Sequence, residues 1–129
     1  MLMNKTMDKK ISKLVKGLNS NTRALLLEIL ESPIKWDLIC FYHANPFSIH
    51  TANGLTNIIG RRYEQVLKEA KELAAKHVLK VVSENNGVSP IYAYEPSVEN
   101  TCIINALVAL ILEEHGLVDE LYRMLKETS

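Results

Sequence analysis

The sequence predicts a mainly α-helical fold with a small β-hairpin, and three observations lead to this fold class. Apolar residues recur at helical spacing in six stretches of the 129-residue chain. Two β-rich runs, residues 79–84 and 91–94, flank an Asn-Asn-Gly sequence at 85–87, which is typical of a tight hairpin turn. Finally, the run from Cys102 to Leu112 is apolar around nearly its whole circumference, so this helix is expected to be buried on more than one side.

Two amphipathic helices are predicted at the start of the chain. The first extends from Met7 to Leu18 and has its lysines opposite its apolar stripe. The second extends from Thr22 to Ser32, and the polar segment 19–21 supplies its N-cap. Pro33 ends this helix because proline cannot continue the backbone hydrogen bonding.

The middle of the chain is partly ambiguous. Residues 36–42 form a continuous apolar and aromatic run, so propensity alone allows a buried strand. A short helix follows, with Thr51 as its N-cap and Gly60 at its C-terminal end. A long helix is then expected from about Arg62 to His77, before the hairpin, in which Pro90 starts the return strand.

The last third of the chain predicts two more helices. Pro96 and Ser97 open the apolar helix, which is expected over residues 98–115 and is broken by Gly116. A final short helix carries a leucine stripe at positions 117, 121 and 125.

Composition and charge narrow the class of protein. The hydrophobic fraction of 47% and charged fraction of 23% exclude a disordered chain. Net charge is zero, but it divides into +5 over residues 1–23, −1 over 24–96 and −4 over 97–129. Two cysteines make no disulfide framework, and neither a signal peptide nor a membrane span is recognised, so a cytoplasmic location is expected.

The order of short helix, tight turn, long helix and hairpin resembles the winged helix-turn-helix superfamily of DNA-binding proteins. The resemblance covers residues 36–96 and implies that 36–44 form the first helix of this unit rather than a strand. It is carried by these residues: Leu55, Ile59, Gly60, Val66, Ala70, Leu73, Val78, Leu79, Tyr92 and Tyr94.

The flanking helices are similar to those of the MarR group, in which such helices dimerise. The resemblance therefore implies N-terminal helices at 1–35, a winged unit at 36–96, and C-terminal dimerisation helices at 97–129. The homodimer interface is expected to use Ile103, Ile104, Leu107, Leu110 and Ile111. Segment 83–87 departs from this group because it lacks the Asp-x-Arg motif of the group's wing.

Double-stranded DNA is the expected partner, and the function that the resemblance implies is transcription regulation. The candidate DNA-binding residues are Thr51, Asn53, Thr56, Arg61, Arg62, Tyr63, Gln65 and Lys68. Two alternatives stay open. The charged face of the long helix can be merely solvated, or the winged unit can bind a protein instead of DNA.

Chemistry of other kinds is not expected. The chain has no recognisable catalytic grouping or phosphate-binding loop, so an enzyme is not predicted. Cys40 and His43 share one helical face, but two ligands do not make a structural zinc site. No cofactor and no metal are predicted, and a small-molecule effector is compatible with the sequence without being identified by any residue.

Overall fold

Helices dominate the computed structural model, which describes residues 5–84, 89–113 and 116–128. The elements follow one another as α1 (Lys5–Lys16), α2 (Ser20–Glu31), α3 (Pro33–Ala44), β1 (Ile49–Thr51), α4 (Ala52–Ile59), α5 (Tyr63–Ala75), β2 (Leu79–Ser83), β3 (Ile91–Tyr94), α6 (Val98–Glu113) and α7 (Gly116–Thr128). The mainly α-helical class with a hairpin is confirmed, and α1 begins and ends two residues earlier than predicted.

Helix α3 resolves the ambiguity of residues 36–42 in favour of a helix. Ser32 caps it by accepting a hydrogen bond from the Lys35 amide, and Pro33 occupies its first turn. Leu38 and Tyr42 are buried together with Lys35 because spacings of three and four residues place them on one face. The strand suggested by propensity is therefore wrong, and Pro33 begins a helix as well as following one.

A three-stranded antiparallel sheet extends the predicted hairpin. The strand order is β1-β3-β2, with Leu79 opposite Tyr94 and His50 opposite Tyr92. Strand β1 was not expected from the sequence, and its pairing makes β3 the central strand. The predicted turn at 85–87 lies outside the described residues.

One apolar core joins the N-terminal helices, the central segment and the C-terminal helices. Buried side chains from α1, α2, α3, α5, β3, α6 and α7 belong to the same cluster. Tyr42 lies at its centre, where its hydroxyl donates to the Tyr92 carbonyl at 2.9 Å and its ring stacks on that of Tyr94. The expected boundary between residues 35 and 36 falls inside α3, whose buried face belongs to this core.

The C-terminal helices complete this core. Four of the five residues expected at a dimer interface are buried within the single chain: Ile104, Leu107, Leu110 and Ile111. Their apolar character is explained by packing against α2, α3 and α7, so the expectation that these four face a partner is corrected. Ile103 is half-buried. No helix in the described ranges is both long and apolar enough to span a membrane.

Candidate nucleic-acid interface

Helices α4 and α5 are joined by a tight turn whose ends are fixed by local hydrogen bonds. The Thr51 hydroxyl accepts from the Gly54 amide at 2.9 Å and caps α4, as predicted. Gly60 ends α4 in the left-handed region, with φ of 69°, and its amide donates to the Thr56 carbonyl. A side chain at position 60 would be strained by this backbone, so glycine sets the angle at which α5 begins.

Ser89, just before β3, links the sheet to both helices of this unit. Its hydroxyl accepts from the Asn53 amide at 2.9 Å, and the Tyr63 hydroxyl lies 3.5 Å from it. Next to it, the Pro90 carbonyl accepts from the Ala52 amide at 2.8 Å. The N-terminal ends of α4 and α5 are thereby held against the start of β3, the second strand of the hairpin.

A buried lysine attaches α5 to α3. Lys35 is only 3% exposed, and its ammonium donates to Glu69 at 2.5 Å and to Glu72 at 2.6 Å. Burial alone would lower the pKa of Lys35, but the hydrogen bonds to both carboxylates outweigh it and raise that pKa. The hydrogen bond from Lys35 also lowers the pKa of Glu72, so the Glu72 carboxylate is ionised at neutral pH.

The outward face of α5 is consequently more basic than its sequence suggests. Two of its three acidic residues turn towards Lys35, and the Glu69 side chain is only 14% exposed. The exposed residues of α5 are Glu64, Gln65, Lys68, Lys71 and Ala75, and Arg62 just before it is also exposed. Three cations therefore face solvent with one exposed carboxylate among them, since Glu72 is only half-exposed and lies against Lys35 and, at 4.0 Å, Lys68.

The eight predicted site residues divide into two groups. Arg62, Gln65 and Lys68 project from α5, and Asn53 is exposed at the start of α4. The other four make contacts within the chain and are exposed to different degrees: Thr51, Thr56, Arg61 and Tyr63. Four of the eight predicted side chains are thus exposed, whereas the other four, whatever their exposure, also contact groups within the chain.

Arg61 is the clearest case of a structural contact among these four. Its guanidinium lies 3.0 Å from the Asp37 carboxylate on α3, so the turn before α5 is attached to α3 at a second point. Arg62 has no such contact among the hydrogen bonds and ion pairs found in the described residues. Of the two neighbouring arginines, Arg62 is therefore the one available to an external partner.

Sequence reasoning missed Lys71, Lys35 and Ser89. Lys71 lies three residues after Lys68 and seven after Glu64, so helical spacing alone could have placed it on this face. Lys35 stands at helical spacing from Leu38 and Tyr42, a pattern that indicates a lysine on a buried face. Nothing local marks Ser89, because its partners are 26 and 36 residues away.

Cys40, on α3, is half-buried. Burial raises the pKa of Cys40 to about 11, and the nearby Asp37 carboxylate adds to the shift, so its thiol is protonated at neutral pH. The described residues contain no group of three metal-ligating side chains.

Comparisons with protein-family models, curated proteins and solved structures find no match for this chain.

Proposed function

We propose that this chain is a winged helix-turn-helix protein that binds double-stranded DNA as a homodimer and regulates transcription. The order of elements from α3 to β3 supports this proposal, because a helix, a short strand, two helices and a hairpin follow each other as in that superfamily. The position of β1 beside β3 also fits, since it anchors the hairpin against α4. In this assignment α5 is the helix that enters the major groove.

The basic outward face of α5 is the observation that carries the DNA proposal. DNA affinity depends on lysine and arginine contacts to phosphates, and sequence preference depends on a few side chains at base edges. Lys68 and Lys71 are suited to phosphates, whereas Arg62 and Gln65 can each make two hydrogen bonds to a base edge. In a two-fold dimer, two such helices would enter successive major grooves about 34 Å apart.

Binding is tested with short DNA duplexes of randomised sequence, by fluorescence anisotropy at about 50 mM salt and at rising salt. Lys68→Ala and Lys71→Ala should each weaken binding to all sequences and reduce the salt slope by about one unit. Lys13→Ala is the matched control, because Lys13 is an exposed lysine on α1, outside this interface. Its affinity for DNA should equal that of the wild type.

Arg62→Ala tests base recognition once a preferred sequence has been selected from the random pool. The variant should lose about 1–3 kcal/mol of discrimination at one base pair if Arg62 contacts a guanine. Arg61→Ala should instead lower the free energy of unfolding, because Arg61 is paired with Asp37. If the wild type shows no salt-dependent binding at about 50 mM salt, the DNA proposal fails.

A protein-binding winged unit is the second candidate, and exposed apolar residues on the strands favour it. Ile49, Val81 and Val82 are exposed on β1 and β2, an uncommon composition for strands that meet DNA phosphates. Ile49 and Val81 lie on opposite faces of the sheet, because their partners Ala93 and Tyr92 are consecutive on β3. Tyr63 and Leu67 on α5 are half-buried and pack against the core, so they offer a partner little apolar surface. Captured partners that are lost with Val82→Lys but kept with Lys68→Ala would favour this alternative.

A further inference from the structure

Helix α6 presents an uncharged stripe to solvent, opposite its buried face. We name this stripe the neutral seam and define it by its members: Val98, Cys102, Asn105, Ala109 and Leu112. All five are exposed, and the two end residues are the most exposed, with Val98 at 85% and Leu112 at 80%. Their spacing of four, three, four and three residues is the heptad spacing of helices that pack along one another.

The neutral seam differs from the outward faces of α5 and α7. The outward face of α5 carries Lys68 and Lys71, and that of α7 carries Asp119 and Arg123. Solvated helix faces are normally charged, whereas the centres of protein interfaces are depleted of charge. The seam extends over four helical turns without a charged residue and ends in two exposed aliphatic side chains. It therefore indicates a contact surface.

The order of side chains along the seam points to a second copy of this chain as the occupant. From either end, a branched aliphatic residue (Val98 or Leu112) is followed by a small residue (Cys102 or Ala109) and then by Asn105. This order suits an antiparallel two-fold contact, because each end of one seam then meets the opposite end of the other and both ends make the same kind of contact. The absence of charge also removes like-charge repulsion between two copies and offers no counter-charge to a charged partner such as DNA.

We propose that two copies of this chain pair through antiparallel α6 helices, with the two-fold axis near Asn105. In this arrangement Val98 of each copy lies near Leu112 of the other, and Cys102 lies near Ala109. The small residues between the ends allow the helix axes to approach closely. The Asn105 Oδ1 lies 3.2 Å from His43 Nε2 of the same chain, which leaves the Asn105 Nδ2 to donate across the axis. This proposal specifies the homodimer of the proposed function and replaces the buried interface residues expected from the sequence.

The size of the contact sets the expected affinity. Sixteen residues make α6 about 24 Å long, and with a width of about 10 Å it offers a projected footprint of about 240 Å² per chain. A standard stable interface uses about 800 Å² of accessible surface per partner. The α6 pair alone is therefore expected to be a weak contact, and neighbouring surface would have to contribute to a stable dimer.

Self-association is measured without DNA, by sedimentation of the full chain from about 1 to 100 µM. The wild type should show a monomer–dimer equilibrium within this range. Ala109→Arg should raise the dissociation constant at least about tenfold, because it places a charge in the uncharged contact. Ala75→Arg is the matched control, since Ala75 is an exposed helical alanine on α5, and it should dimerise like the wild type. A wild type that stays monomeric throughout would overturn the proposal, as would equal dimerisation of Ala109→Arg.

Cysteine cross-linking tests the direction of the helices, in a chain that also carries Cys102→Ser. Under mild oxidation, Asn105→Cys should give a covalent dimer, because its two copies meet near the axis. Val98→Cys should not, because its two copies would be separated by about 21 Å along the helix axes. Cross-linking of both variants would mean a parallel pair and would refute the arrangement, and cross-linking of neither would also refute it. DNA binding is measured separately, so it can survive the failure of this dimer.

Discussion

Replacing Lys35 tests whether the buried ion pairs hold α5 in place. In Lys35→Met the apolar stem is nearly preserved, but the ammonium is lost, which leaves Glu69 and Glu72 without their shared partner. The Glu72 side chain is 39% exposed and can be rehydrated, whereas Glu69 at 14% cannot readily be reached by water. The cost therefore comes mainly from one stranded carboxylate, so we expect the lower end of the usual range, about 3 kcal/mol.

Urea denaturation at neutral pH measures this loss as a change in the free energy of unfolding. A loss of about 3 kcal/mol corresponds to a decrease in melting temperature of about 10 °C for a domain of this size. Lys68→Met is the matched control, because Lys68 is an exposed lysine on the same helical pair, and its effect should stay within about 0.5 kcal/mol.

The double variant Lys35→Met, Glu69→Gln distinguishes a stranded charge from lost packing. Removing the second charge should recover at least about 1 kcal/mol relative to Lys35→Met alone, because a buried pair contributes little net stability once both charges are absent. If the double variant is no more stable than Lys35→Met, the loss does not come from an uncompensated carboxylate. A Lys35→Met protein as stable as the wild type would refute the reasoning altogether.

The Lys35→Met variant should also change the way in which the free energy of unfolding depends on pH. The pKa of Glu72 is lower in the folded chain than its ordinary value of 4.5, so its ionised form stabilises the fold above that pH. This contribution is lost as the pH falls through the lowered pKa of the folded state. Because the hydrogen bond from Lys35 is the largest cause of the lowered pKa of Glu72 and the charge of Lys68 a smaller one, the acid-side decrease in unfolding free energy should be shallower in Lys35→Met than in Lys68→Met.

Two further predictions concern the caps of α4. Gly60→Ala should lower the free energy of unfolding by about 1–2 kcal/mol, because φ at this position is 69°. Thermal unfolding measures this loss, and Gly17→Ala is the control because Gly17 is an exposed glycine outside the left-handed region. Thr51→Ala should cost about 1 kcal/mol in urea denaturation because it removes the acceptor for the Gly54 amide, whereas Thr51→Ser should retain most of the stability. Equal stability of the alanine and serine variants would contradict this role of the hydroxyl.

Local signals were read correctly from the sequence. The N-cap at Thr51 and the left-handed glycine at position 60 depend on neighbouring residues only, so both were predicted at the right positions. The pairing of β2 with β3 followed from two β-rich runs close together in the chain. The helical form of α3 needed the resemblance, because its apolar run fits a strand equally well by propensity.

Features that depend on distant residues were missed. Strand β1 has three residues, and its partner β3 begins 40 residues after β1 ends, so no local pattern could indicate it. The partners of Arg61 and Lys35 lie 24 to 37 residues away on another helix. The all-round apolar character of α6 was read as a need for a partner chain, but packing within one chain buries most of it. The stripe that stays exposed is small or polar in its middle and ends in two aliphatic residues, Val98 and Leu112.

The zero net charge of the sequence is therefore a poor guide to what this protein can bind. A sum over the sequence counts Glu69 and Glu72 as surface charges equal to those of Lys68 and Lys71. Folding makes these groups unequal, because Lys35 draws both carboxylates towards α3 while the two lysines remain in solvent. A partner meets the charges that the fold exposes, not their total. One buried lysine thus has two effects, since it attaches α5 to the core and leaves a cationic face on its outer side.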